Sequence, residues 1–183
     1  MKVTSKRPSE MAPTPMRALA TLPVFLGLDG KRAVIAGGSA AAAWKAELLA
    51  AAGAHVDIYA LEIDAEMGAM LARGAAAGTL TLHDRAWVAG DLVGAAIAVA
   101  DAETDDEARA FRDAAHSSGV PFNVIDKPAF CQFQFGSIVN RSPVVVGIST
   151  EGAAPILGQA IRRRIETLLP PSLAAWGALA NEV

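Results

Sequence analysis

Residues Ala33–Lys45 read AVIAGGSAAAAWK. A short apolar run meets two glycines and a serine, then an alanine-rich stretch of high helix propensity. The pattern is strand, tight turn, helix. It matches the dinucleotide-binding fingerprint G-x-G-x-x-G/A at Gly37, Ser39 and Ala42. The first position supplies the turn and the third allows close helix packing. The second, where backbone approaches a pyrophosphate, carries the Ser39 hydroxymethyl instead of a bare glycine. Two readings stand at this point. One is a cofactor loop, with Ser39 donating to a phosphate at a helix N-terminus. The other is a plain turn between a strand and a helix.

Outward from this loop the chain alternates. The predicted helix 40–52 is stopped by Gly53, and HVDIYA (55–60) is a second strand. Asp64 caps a helix to about Arg73, ended by Gly74 and Gly78. TLTLHD (79–84), GAAIAVA (94–100) and PFNVID (121–126) are three further strands. Before the last of them, Thr104 and Glu107 form a capping box for a helix to about Ser118. Strands alternating with helices imply a parallel sheet covered on both faces. The pattern then changes. FGSIVNRSPVVVGIST holds two strand-like runs around Asn140-Arg141-Ser142-Pro143, an antiparallel excursion outside the main sheet. Pro155 opens a helix over about 154–168, with Ile156, Leu157, Ile161, Ile165 and Leu168 at helical spacing. Pro170-Pro171 ends it, and a last helix begins near Ser172.

The composition bounds the rest. The chain has 183 residues, 52% hydrophobic and 19% charged, with net charge −3 and one cysteine, Cys131. That is enough for one domain with an appendage. The acidic balance argues against a nucleic-acid partner. No apolar run is long enough for a membrane span. A single cysteine allows no internal disulfide and fits a reducing cytoplasm. Residues 1–20, rich in Pro, Ser, Thr and basic side chains, are expected to be a disordered leader.

Candidate chemistry clusters at strand ends, because ligands of open α/β sheets bind outside the carboxyl ends of the strands. For the cofactor ribose, Asp57 has the expected spacing but lies mid-strand. Glu62 lies just past the strand end and is preferred. Asp101 ends the fourth strand, while Glu103, Asp105, Asp106 and Glu107 fit a helix first turn better than a metal loop. Asp126 ends the fifth strand. It is either a general base in the crevice or a turn-forming residue before Pro128. His55, His83 and His116 show no ligand spacing. Arg162, Arg163 and Arg164 spread around a helix.

The second half, NVIDKPAFCQFQFGSIVNRSPVVVGISTEGAAPILGQAIRRRIETLLP, resembles the signature region of the siroheme synthase N-terminal module. This is the precorrin-2 dehydrogenase and sirohydrochlorin ferrochelatase family. The first half is similar too, in LPVFLGLDGKRAVIAGG, in K-A-x-L-L-x-x-A-G-A and in Ala60-Leu61, so the resemblance spans about Leu22 to Pro170. It implies a Rossmann-like parallel sheet with helices on both faces over 21–127. A dimerisation segment would follow over 128–169, and the start of a truncated helical substrate domain over 170–183. It also implies a homodimer that binds NAD, oxidises precorrin-2 to sirohydrochlorin and inserts ferrous iron as a second substrate.

Asp126 matches the family's essential aspartate. The resemblance and the loop together nominate Gly37, Gly38, Ser39, Ala40, Ala41, Leu61, Glu62 and Asp101 for the cofactor. Arg141, Ser149 and Thr150 are nominated for the substrate, and no dedicated metal site is expected. This chain departs from the family pattern at Ser39, at Gly136, at Thr150 and in a longer loop after the fourth strand. Two alternatives remain. One is a chelatase-only member; the other is a non-catalytic nucleotide-binding regulatory module. The chain's end before the helical domain is complete suggests a fragment, or one module ahead of a methyltransferase domain.

Overall fold

The computed structural model describes residues 17–152 and 154–173. Most of the expected leader and the expected helix near Ser172 fall largely outside them. Residues Phe25–Ser137 form one compact unit, and the hairpin and helix after Ser137 belong to a second.

The first unit is a five-stranded sheet. Its strands are β1 (Arg32–Ala36), β2 (His55–Ala60), β3 (Thr79–Asp84), β4 (Ile97–Ala100) and β5 (Phe122–Val124). The order is β3-β2-β1-β4-β5, and every pair is parallel. Helix α1 (Ala40–Ala51) and α2 (Ala65–Arg73) join the strands of one half. Helix α3 (Asp105–Ser117) joins β4 to β5. Strand side chains alternate between the two faces. Ala33, Ile35, Val56, Ile58, Ile97 and Val99 pack with Ala42, Ala46, Leu49, Met67 and Met70 of α1 and α2. Val34, Ala36, Tyr59, Ala98, Ala100 and Val124 pack with Ala108, Phe111 and Ala115 of α3. Both faces are therefore covered, and this is why the strands read as continuous apolar runs.

The helix signals held in detail. Gly53 takes φ 89° just past α1, and the Thr104–Glu107 capping box is formed, with Glu107 N to Thr104 Oγ1 at 3.2 Å and Thr104 N to Glu107 Oε2 at 3.1 Å. Two strands are shorter than expected. Residues 94–96 precede β4 because Gly94 turns at φ 78° and Ala95 N bonds back to Leu92 O. β5 ends at Val124; Ile125 N still reaches Ala100 O at 2.8 Å, and then Asp126 leaves the strand. Asp64 sits at the α2 N-cap position without capping it.

Residues 128–136, expected to open the dimerisation segment, pack with the sheet unit. Gln132 N bonds Phe122 O at 3.0 Å, and Asn123 Nδ2 donates to Phe133 O at 2.9 Å. Cys131 is their rivet. Its sulfur accepts from Val124 N at 3.2 Å and from Asn123 Nδ2 at 3.3 Å, and reaches Val124 O at 3.2 Å. Burial pushes the Cys131 thiol up.

In the second unit β6 (Ser137–Arg141) and β7 (Val144–Ile148) form a two-stranded sheet. Two intervening residues permit only an antiparallel hairpin, since a parallel pair needs a long crossover. Helix α4 (Pro155–Leu168) follows, with proline at its first position as expected. Among the described residues no helix is long and apolar enough to cross a membrane.

Candidate functional site

The strand order reverses between β1 and β4, so the crevice opens beyond their carboxyl ends. Gly37 and Asp101 follow those two strands directly, and Asp101 N bonds Ala36 O at 2.8 Å. Gly37 takes φ 127°, and a Cβ there would lie 2.9 Å from Asp101 Cβ. Only glycine suits that position. Gly38 is closed in on the other side, where a Cβ would meet Glu62 O at 2.1 Å. Gly38 O also accepts from Asp64 N at 2.9 Å. Gly37, Gly38, Ser39, Glu62 and Asp101 are thus gathered around the start of α1, while Leu61, just before Glu62, is exposed.

Ser39 is the α1 N-cap. Its Oγ accepts from Ala42 N at 3.2 Å and donates to the Asp101 carboxylate. Asp64 Oδ2 accepts from Ala40 N at 3.1 Å. Two carboxylates therefore already sit at this helix start, where a negative charge is favoured. The N–H groups of Gly38, Ser39 and Ala41 make no hydrogen bond among the described residues. They provide the donors a pyrophosphate needs, with no side chain from either glycine in the way. The loop fits a dinucleotide.

At the end of β2 the two candidate acids separate cleanly. Asp57 accepts from Arg32 Nε at 2.6 Å and lies 2.9 Å from His83 Nε2. Burial opposes its charge, but His83 and Arg32 outweigh burial and hold the Asp57 carboxyl below its ordinary range. Asp57 is a structural anchor of the sheet. Glu62 is exposed and makes no side-chain bond among the described residues.

Asp126 is displayed by a tight turn. Its φ is 57°, a left-handed conformation that aspartate tolerates better than most residues. Lys127 N closes the turn on Val124 O at 3.2 Å, Lys127 Nζ is tied to Asp105 Oδ1 at 2.7 Å, and Lys127 O lies 3.3 Å from Cys131 Sγ. The backbone is thus held on both sides, while the Asp126 carboxylate is exposed and makes no hydrogen bond among the described residues.

Lys45 was not singled out from the sequence. Its Nζ lies 3.9 Å from the Phe135 ring centroid and 4.3 Å from that of Trp44. Burial pushes its pKa down to about 8, against the opposing pull of Asp126 and Cys131. In the sequence Lys45 opens the K-A-x-L-L-x-x-A-G-A run that carries the resemblance, but no role was assigned to it there.

Arg141, Ser149 and Thr150 lie in the second unit. Arg141 Nε donates to Leu169 O at 2.8 Å, satisfying a carbonyl past the end of α4. Ser149 Oγ accepts from Glu151 N at 3.2 Å, and Thr150 Oγ1 donates to Ala154 O at 3.3 Å. All three shape the hairpin and the turn into α4.

Residues 24–137 match the family model described as "Putative NAD(P)-binding". The chain belongs to that NAD(P)-binding family. Membership makes NAD(P) its cofactor class and agrees with the glycine loop just described. Siroheme synthases of Azotobacter vinelandii and Stutzerimonas stutzeri are each 41% identical to it, over 163 and 162 residues, or 87% of this chain. That of Nitrosospira multiformis is 36% identical over 163 residues. The alignments take in 33%, 33% and 34% of those relatives, so the chain spans about a third of their length. A solved structure, "SirC, precorrin-2 dehydrogenase", has the same fold. Its TM-score is 0.75 at 19% identity, covering 88% of this chain and 78% of that one.

Proposed function

We propose that this chain oxidises precorrin-2 to sirohydrochlorin with NAD, and that Asp126 is its general base. The observation that carries the reading is Asp126 itself, an exposed carboxylate with no hydrogen bond among the described residues, on a firmly held turn beside a dinucleotide crevice. The names of the relatives and of the solved neighbour point the same way. Gly37, Gly38, Ser39, Ala40 and Ala41 would hold the pyrophosphate, with Glu62 at the ribose and Asp101 beside the loop. When bound, NAD supplies the acceptor for the hydride that leaves the substrate. Asp126 takes the proton that leaves with it, so substrate and cofactor together yield sirohydrochlorin, NADH and one proton. Its exposure lets it release that proton to water and start again.

The same carboxylate suits a second step, in which ferrous iron enters sirohydrochlorin as pyrrole protons leave. Iron is there a substrate. The working protein is proposed as a cytoplasmic homodimer, with residues 128–169 forming the dimer contact and Arg141, Ser149 and Thr150 near the tetrapyrrole.

One observation favours a narrower reading. Ser39 puts a hydroxymethyl group where the fingerprint has its second glycine, and loss of NAD binding through it would leave a chelatase-only protein. An NAD titration followed by Trp44 fluorescence separates the two readings. The main test supplies the protein with precorrin-2 and NAD. Formation of NADH and sirohydrochlorin is expected; their absence sinks the dehydrogenase reading. Asp126→Asn should lower turnover by about 10²–10⁴-fold, the usual worth of a general base, and leave NAD binding intact. Unaltered turnover would remove Asp126 from the mechanism.

A further inference from the structure

Lys45 feels the charge of the proposed base and has no part in the reaction described above. Its ammonium is walled by the Phe135 ring at 3.9 Å and the Trp44 ring at 4.3 Å, and it makes no hydrogen bond or ion pair among the described residues. The acidic groups that act on it, Asp126 and Cys131, are both on the connection after β5. The other candidates nearby are committed elsewhere. Glu47, on the same helix, is paired with Arg73 at 2.7 Å, and Lys127 is paired with Asp105 at 2.7 Å.

The plainest account of such a lysine is a stem lying on apolar surface with its head in water. The Lys45 side chain here is half-buried rather than free in water. Burial has pushed its pKa down to about 8 even though two acidic groups pull the other way. Two aromatic faces offset part of that loss through cation–π attraction. A partly desolvated ammonium with no carboxylate partner gains strongly from an incoming anion, because charge-assisted bonds strengthen as water is excluded.

We propose that Lys45 anchors an acidic side group of the substrate next to Asp126, with Trp44 and Phe135 forming the walls of that subsite. The ligand class is a polycarboxylate macrocycle, so the inference rests on the function proposed above. Anchoring one peripheral carboxylate there would fix which edge of the ring faces the Asp126 carboxylate.

The test compares wild type with Lys45→Met, Lys45→Gln and Lys45→Arg, each first checked by thermal melting. Three quantities are read: the dissociation constant for sirohydrochlorin by absorbance, KM and kcat with precorrin-2, and the dissociation constant for NAD. Lys45→Met and Lys45→Gln should weaken sirohydrochlorin binding and raise KM by about 10- to 100-fold, the worth of one bond to a charged group. kcat and NAD affinity should hold, and Lys45→Arg should recover most of the loss. Unchanged binding in Lys45→Met overturns the anchor. A fall in kcat at constant KM overturns it in favour of proton transfer. A selective loss of NAD affinity overturns it in favour of the cofactor phosphates. A wild-type protein that neither binds sirohydrochlorin nor oxidises precorrin-2 overturns the functional reading as well, whereas active wild type with indifferent variants overturns the Lys45 role alone.

Discussion

Replacing Gly38 by alanine tests the cofactor loop most directly. The new Cβ would lie 2.1 Å from Glu62 O and 3.0 Å from Ile63 Cα, both backbone atoms. Neither can swing away as a side chain would. Restoring ordinary contact requires roughly 1 Å of movement in the loop or in the β2–α2 connection. Those two segments are stitched together by Asp64 N to Gly38 O at 2.9 Å and Ala40 N to Asp64 Oδ2 at 3.1 Å, so neither moves alone. Overpacking of this kind costs about 1–3 kcal/mol. For a unit of this size that lowers Tm by roughly 3–15 °C. The same movement displaces Glu62 and the loop N–H groups, and NAD binding should weaken by about tenfold, equivalent to 1.4 kcal/mol. Thermal melting by circular dichroism and an NAD titration by Trp44 fluorescence read the two effects. Gly90→Ala is the control: a Cβ there meets nothing within 4 Å, so its Tm should stay within the small range of surface substitutions. A Gly38→Ala protein with wild-type Tm and wild-type NAD affinity would refute the close approach as the reason for this glycine.

Three other outcomes follow from particular contacts. Ser39→Ala removes the α1 N-cap and the bond to Asp101; it should cost about 1 kcal/mol in urea unfolding, whereas Ser39→Gly should cost only a few tenths and bind NAD at least as well as wild type. Asp91 is held down to about 2, first by the Arg85 guanidinium and then by Val88 N–H, despite some opposing burial. A depressed carboxyl stabilises the fold above its ordinary pKa and loses that contribution as pH falls. Asp91→Asn should therefore be less stable than wild type at pH 7, with the gap closing between about pH 4 and pH 2 in acid melts. Cys131→Ala strands the buried Val124 N–H and one Asn123 amide bond; it should cost about 1–3 kcal/mol by chemical denaturation, while native Cys131 should react slowly with thiol reagents.

The helix boundaries were legible because they are written locally. Gly53 after α1, Thr104 with Glu107 before α3, and Pro155 at the start of α4 each act within a few residues of themselves. The strand ends were less legible. Residues 94–96 are apolar like the strand they precede, and only the Gly94 turn shows where β4 begins. Asp126 looked like the last residue of a strand, but it takes φ 57° because Lys127 closes the turn and is tied to Asp105. Mid-strand Asp57 carried the expected spacing for a ribose acid, and its commitment to Arg32 and His83 was invisible without the neighbouring strands.

By itself the sequence determined the parallel sheet, the covering of both its faces and the place of the glycine loop. Apolar periodicity, caps and breakers are short-range physics, and each is complete within one turn or one strand. Only the tertiary structure decided what surrounds that loop. Ser39 meets Asp101, 62 residues away, and Ala40 N–H meets Asp64, 24 residues away. Lys45 meets Phe135, which arrives from beyond β5. Such pairings depend on which strand ends the topology brings to one edge, and no local pattern encodes them. Ser39, a flaw in the fingerprint when read along the chain, is in the folded protein the cap of α1 and the link between β1 and β4.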